Sequence, residues 1–324
     1  MKTLYFLCVL LAVCVISNPV SAQNSPRKPL STLIIDPGHG GLDPGAMGTI
    51  ESEANVALQV SLKLGDTLAK LYPDLKIIFT RTKDVLPGNL NNKDAALKYR
   101  ANLANESGGN LFIAVHCNSA GRHPGGWYER RVVGKTPVVK SYKKGKKTYK
   151  KTTWVYQYEN VWVENKARGT ETYIWAVGKN DDKVNSMTKS NDYTGEIDST
   201  STLTLPDPSD PTEKARMLIY TQNYFRKSLS LADMVQTEFV NQGRINRGVK
   251  QRNDKGIWVL QATAMPSILI EIGFISNKEE EEYLVSQAGQ AEIVKNIVSA
   301  FVKYKERLEL KSAPTTEETP AKAF

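Results

Sequence analysis

A chain of 324 residues with 40% hydrophobic content is long enough for one large core or two small ones. Of its three cysteines only Cys117 lies beyond Ala22, which excludes an internal disulfide framework once the first segment is removed. The formal charge is +9, and no stretch reaches the ~20 apolar residues that a membrane span needs, so no permanent membrane anchor is expected.

Residues 1–22 place Lys2 before an apolar run from Leu4 to Ile16, followed by Pro19 and the small pair Ser21 and Ala22. This pattern predicts a signal peptide cleaved after Ala22 and an exported protein, in the periplasm or elsewhere in the cell envelope or outside the cell. Cys14 follows Leu11-Ala12-Val13, but lipid attachment favours a small residue before the cysteine, and Val13 is not small. Residues 23–31 read as a linker, and one catalytic domain is expected over 32–310.

Within that domain Leu33-Ile34-Ile35 ends in Asp36-Pro37-Gly38, a buried strand stopping at a loop. Val56, Val60, Leu64, Leu68 and Leu71 are spaced as on one face of a helix over 55–71. Ile77-Ile78-Phe79 and Leu111 to Val115 read as strands, with a helix over 95–104 between them. Alternation of strand and helix predicts an α/β fold: a mostly parallel central sheet with helices on both faces. Residues 127–177 change character, with Tyr, Trp, Val and Thr alternating as in antiparallel strands, so a β-rich basic insertion is expected at about 122–168.

Between Arg130 and Arg168 stand twelve Lys and Arg against Glu159 and Glu164. Such a stripe attracts a polyanion or an anionic surface. For an exported chain this means cell-wall polymers or lipid head groups, and nucleic acid is not an expected partner. The bland alternative is a solvated lysine-rich hairpin. A second, polar insertion is expected at 179–210. Asp210-Pro211-Thr212-Glu213 then opens a helix to about Val240. Ile257–Leu260 and Ile268–Ile272 read as strands, Ser276 with Glu279 as a capping box, 291–308 as the last helix and 311–324 as a disordered tail.

An open sheet of this kind gathers its sites beyond the carboxyl ends of its strands. His39, His116 and Glu271 fall at such ends, and Glu53 at the start of the first helix. A hydrolytic zinc site wants three His or Asp/Glu ligands, a fourth position for water, and a carboxylate to take the water's proton. The chain has three histidines, and the third, His123, lies in a Gly/Pro-rich loop. Arg81 and Asn118 lie near the same edge, where structural hydrogen bonding is expected of both.

Four ordered blocks carry a resemblance. Ile34 to Ala46 (IIDPGHGGLDPGA), Glu53 ahead of Asn55-Val56-Ala57-Leu58, Leu111 to Asn118, and Pro266 to Asn277 (PSILIEIGFISN) resemble the type-3 family of zinc-dependent N-acetylmuramoyl-L-alanine amidases. The match covers about 32–120 and 215–308. The resemblance implies peptidoglycan as substrate and Zn2+ held by His39, Glu53 and His116. It also implies Glu271 as the catalytic acid/base, with the cut at the amide between N-acetylmuramic acid and L-alanine. Wall remodelling or daughter-cell separation is the expected setting. The two insertions depart from the family pattern, and one of them is expected to act as a lid or docking surface, with an activator protein as partner. A monomer is expected.

Three alternatives are weighed against this reading: a zinc peptidase acting within stem peptides, a non-catalytic wall-binding or activator protein, and a cysteine hydrolase using Cys117. Cys117 cannot pair with the adjacent His116, because neighbours on a strand face opposite ways.

Overall fold

The computed structural model describes residues 30–176, 211–252 and 257–312. The expected signal peptide and almost all of the linker, the insertion at 179–210, and the tail from 313 lie outside the described residues.

A six-stranded sheet forms the centre, built from β1 (Thr32–Pro37), β2 (Lys76–Phe79), β3 (Leu111–Asn118), β6 (Thr170–Tyr173), β7 (Asn246–Lys250) and β8 (Ser267–Phe274), in the order β2-β1-β3-β8-β6-β7. The pairs β1/β2, β1/β3 and β3/β8 are parallel, β6/β8 is antiparallel and β6/β7 parallel, so β6 and β7, at one end of the sheet, run against the other four. The mostly parallel sheet is as expected. Its helices are α1 (Glu53–Leu71), α2 (Lys93–Glu106), α3 (Pro211–Asn241), α4 (Trp258–Ala262), α5 (Lys278–Val285) and α6 (Gln287–Ser312).

Near-continuous apolar strands are what a sheet covered on both faces requires. Leu33, Ile35, Ile113, Val115, Ile268 and Ile270 pack on one side with residues such as Val60 and Leu64 of α1, Phe239 of α3 and Phe301 of α6. The alternate residues Ile34, Phe112, Ala114 and Leu269 pack on the other with Trp175 and with Leu260 of α4. The six-stranded sheet is flanked by these two clusters. Among the described residues no helix is long and apolar enough to cross a membrane.

Residues 126–164 form a separate two-stranded antiparallel ribbon, β4 (Gly126–Lys144) and β5 (Lys147–Glu164). This is the basic insertion, and its strand character agrees with the alternation in the sequence.

Three local expectations are corrected. Ile257–Leu260 contributes to α4, not to a strand, since a short apolar run fits either state. Asn105 settles it: its side chain donates to the Ala262 carbonyl at 3.0 Å and accepts from the Ala264 amide at 2.7 Å, turning the chain there. The cap of α5 is Asn277, whose side chain accepts from the Glu280 amide at 3.1 Å, while the Ser276 hydroxyl is taken by the Ala120 amide. The last helix starts at Gln287 rather than near Ala291 and runs on through Ser312, so the first two residues of the expected tail are helical.

Candidate active site

Each candidate residue reaches the site for a local reason. Ser52 caps α1 by accepting from the Asn55 amide, which makes Glu53 its first residue, where a carboxylate also complements the helix dipole. The loop ahead of that cap is fixed from far along the chain. The buried Glu281 carboxylate accepts from the amides of Thr49, Ile50 and Glu51 at 2.8, 2.5 and 3.0 Å.

After β1 the backbone turns sharply, and His39 sits in the left-handed region with φ 57°. A non-glycine residue there is strained, and the strain persists only where its surroundings over-determine it. Two buried arginines do so. Arg81 donates to the carbonyls of Pro37, Gly38 and Ala54 at 3.0, 2.6 and 2.7 Å. Arg100 donates to the carbonyls of Pro37 and His39 at 2.8 and 2.7 Å and pairs with the buried Asp36 carboxylate, which also accepts from Thr80. Burial, followed by the neighbouring Arg100, lowers the Arg81 pKa to about 10.

The structure brings His39, Glu53 and His116 together. Glu53 Oε1 lies 3.1 Å from His39 Nε2 and 2.8 Å from His116 Nδ1, and it also accepts from the Cys117 amide at 3.1 Å. Glu53 Oε2 accepts from the Ala46 amide at 2.8 Å. One donor atom from each of the three residues lies within 4.8 Å of the others. The imidazole centroids are 4.9 Å apart, so the rings converge. His39 Nδ1 meets Asp43 Oδ2 at 2.8 Å, which orients the ring with Nε2 toward Glu53 and the cluster.

Burial works against charge on this cluster, but the partners outweigh it. It opposes the ionised Glu53, yet hydrogen bonds from His116 and His39 hold that carboxyl far below the carboxylate range. It opposes the protonated His39, yet Glu53 and Asp43 raise its pKa overall.

The donor set of two imidazoles and one carboxylate is that of a catalytic zinc site. Two glycines make the cluster sterically feasible. A Cβ at Gly38 would collide with the His116 ring, and one at Gly45, itself at φ 69°, would come within 2.6 Å of Glu53 Oε2 and 2.7 Å of the His39 ring. On both counts the residues fit a zinc ion.

Glu271 is the register partner of His116 across β3/β8 and lines the same cleft of about 560 Å3. It is 8% exposed, and among the described residues its Oε2 has no hydrogen-bond partner. Burial, reinforced by the Glu53 charge, pushes its pKa up to about 8. Cys117 points the other way, into the core, and burial pushes its thiol up, so it is unsuited to act as a nucleophile. Arg81 is a backbone clamp, as expected. Asn118 lines the cleft and accepts from the Ser119 amide. His123 meets Asn165 through its carbonyl.

Sequence reasoning assigned no role to Asp43, Arg100 or Glu281. Asp43 carried a signal, lying four residues after His39 in the same Gly-rich loop. Arg100 and Glu281 look like ordinary surface residues of charged helices, and only the fold buries them.

The comparisons agree with this geometry. AmiC of Escherichia coli O6:H1, an N-acetylmuramoyl-L-alanine amidase, is 26% identical over 293 residues, covering 89% of this chain and 56% of the relative. The chain thus spans about half the length of that relative. A putative N-acetylmuramoyl-L-alanine amidase of Buchnera aphidicola is 24% identical over 277 residues, covering 84% of this chain and 94% of the relative. Among solved structures, the N-acetylmuramoyl-L-alanine amidase of Clostridium difficile 630 superposes with TM-score 0.51 at 22% identity, over 86% of this chain and 98% of that one. The CwlD amidase of Clostridioides difficile, solved in complex with the GerS lipoprotein, gives 0.52 at 22% identity, over 86% and 99%. The family model described as N-acetylmuramoyl-L-alanine amidase matches residues 33–303, a span that takes in the entire cleft. The chain therefore belongs to the type-3 N-acetylmuramoyl-L-alanine amidase family.

Proposed function

We propose that this chain is a zinc-dependent peptidoglycan hydrolase that cuts the amide between N-acetylmuramic acid and the L-alanine of the stem peptide. The observation that carries the reading is the convergence of one donor atom from each of His39, Glu53 and His116 within 4.8 Å, beside a buried carboxylate. These three residues would hold a zinc ion, whose chemistry would be to lower the pKa of a bound water and to polarise the scissile carbonyl.

The chain's own groups do the rest. Glu271 receives the proton of the attacking water at its unpartnered Oε2 and returns it to the departing alanine amine. Its raised pKa suits both halves of that transfer, since an acid/base works best with a pKa near the working pH. Asp43 orients His39, and the Arg81 and Arg100 clamps keep the His39 loop in its strained turn.

The setting we infer is outside the cytoplasm, in wall remodelling or daughter-cell separation, with an activating protein partner. The test is digestion of purified peptidoglycan with zinc and with chelator, followed by mass spectrometry. A bare lactyl group on the sugar and a free N-terminal alanine are expected with zinc. A shortened stem peptide would assign the chain to the peptidases instead.

A further inference from the structure

The β4–β5 ribbon has no part in the cleft chemistry, yet it is rooted beside it. Its first strand follows the loop after Asn118, and its second leads through Asn165 into β6, where Glu171 is the register partner of Glu271. The root is tied down by the Gly125 amide on the Ser276 carbonyl at 2.9 Å and by the Asn277 side chain on the Asn165 carbonyl at 2.8 Å. With 19 residues in β4, the ribbon extends about 60 Å at ~3.3 Å per residue.

Its two faces differ. The ladder pairs Tyr128 with Trp162, Arg130 with Asn160, Val132 with Tyr158, Lys135 with Tyr156 and Pro137 with Trp154. Alternate residues of a strand share a face, so Trp154, Tyr156, Tyr158 and Trp162 stand in one row, with Tyr128, Arg130 and Lys135 on the same side. At ~6.8 Å per step the row is about 27 Å long. Arg130 lies 4.0 Å over the Tyr158 ring, and Lys135 lies 4.7 Å over Trp154. Cross-strand packing does not explain these rings. The Tyr128–Trp162 pair touches edge-on at 5.1 Å, but Trp154 and Tyr156 face Pro137 and Lys135, and all five rings remain between 45% and 69% exposed.

The chemistry of the row selects its occupant. Open Tyr and Trp faces are electron-rich and stack on the C–H faces of sugar rings, while interleaved cations pair with carboxylates. From Gly126 to Glu164 there is no Leu, Ile, Phe or Met, and beside its rings the row's face from Tyr128 to Pro137 carries only Val132 and Pro137 as aliphatic side chains, too few for a ribbon that inserts into lipid. We propose that this row binds the glycan strand of peptidoglycan, with sugars stacked on Trp154, Tyr156, Tyr158 and Trp162 and stem-peptide carboxylates on Arg130 and Lys135. The assignment rests on the reading of the cleft given above. It makes the ribbon a guide that holds the polymer while the cleft cuts it.

The test is co-sedimentation with purified sacculi, using the chain carrying Glu271→Gln so that binding is measured without turnover. In that background W154A/Y156A/Y158A/W162A is expected to weaken binding at least tenfold, and soluble N-acetylglucosamine oligomers should compete with the unaltered ribbon. The pair W154A/W162A, checked by circular dichroism, gives an intermediate loss and keeps the test decisive if the fourfold variant does not fold. Undiminished sedimentation of the folded variants would overturn the proposal. So would capture of the chain by phosphatidylglycerol vesicles but not by sacculi. A failure of the cleft reading shows separately, as wild-type chain that frees no N-terminal alanine from sacculi whether or not the ribbon binds.

Discussion

His116 and Glu271 are register partners at the carboxyl ends of β3 and β8, two adjacent parallel strands at the centre of the sheet. The group proposed for proton transfer and one of those proposed to hold the metal are thus spaced by a backbone ladder rather than by a loop. Both strands are buried along nearly their whole length, so replacing one side chain leaves the other where it was.

That independence separates two effects. Glu271→Gln is expected to keep about one zinc per chain while the rate on peptidoglycan falls about 10²–10⁴-fold, the usual range for a lost general acid/base. His116→Ala is expected to lose the zinc itself. Metal analysis of the purified variants beside a dye-release assay on labelled sacculi checks both. A Glu271→Gln chain as fast as wild type would remove Glu271 from the mechanism.

Asp43 touches the proposed metal site only through His39. Its carboxylate holds His39 Nδ1 at 2.8 Å and is itself paired with Lys93 at 2.6 Å. Burial disfavours its ionised form, but Lys93 and His39 hold its pKa below the ordinary value, so it stays an acceptor. Asp43→Asn can accept the same hydrogen bond but without the charge, and such partners are worth about 10–100-fold in metal affinity. Competition with a chromophoric chelator should show zinc affinity falling in that range. An unchanged affinity would make Asp43 a mere loop staple.

The fold and the trio were legible because they rest on short-range patterns. Leu33-Ile34-Ile35, Leu111 to Val115 and Ile268-Leu269-Ile270 are fully apolar, as strands covered on both faces must be, and His39, His116 and Glu271 stand where those patterns stop. What was not legible depends on contacts far along the chain. Asn246–Lys250 has no apolar run and no strand was expected there, yet it forms β7, where Arg247 and Lys250 face the buried Glu171 at 2.5 and 2.7 Å. Ile257–Leu260 has the composition of a strand and joins a helix because Asn105 turns the chain. Arg100 lies in an outwardly polar helix, and nothing near it in sequence announces the Asp36 carboxylate it meets.

That Arg100–Asp36 pair supplies a stability prediction. Asp36 is 1% exposed, and removal of its partner leaves a buried charge uncompensated, which costs about 3–5 kcal/mol. Arg100→Met is expected to destabilise by that order and to loosen the His39 turn, since the His39 carbonyl loses its donor and the Pro37 carbonyl keeps only Arg81. The double variant R100M/D36N should recover part of the stability without restoring zinc binding. Urea denaturation and zinc titration of the three chains check both parts. Equal stability of the single and double variants would mean that the ion pair is not what Arg100 contributes.

Glu171 gives the acid side of the stability profile. It is 2% exposed, accepts from the Tyr173 hydroxyl at 2.8 Å, and pairs with Arg247 and Lys250. Burial raises its pKa, but the Arg247, Lys250 and Tyr173 bonds outweigh it, and the net shift is below the ordinary 4.5. A carboxyl whose folded pKa is depressed binds its proton more tightly when unfolded. Its stabilisation is therefore complete above 4.5 and is lost as pH falls through the lower, folded value. Glu171→Gln is expected to cost about 1–3 kcal/mol near neutrality, the worth of charged hydrogen bonds at a buried site. In acid the gap between the two proteins should close, because a protonated glutamate and a glutamine make similar bonds. Urea unfolding of both proteins across the acid range tests this, and a gap that stays constant down to about pH 3 would show that Glu171 stabilises by packing rather than by its charge.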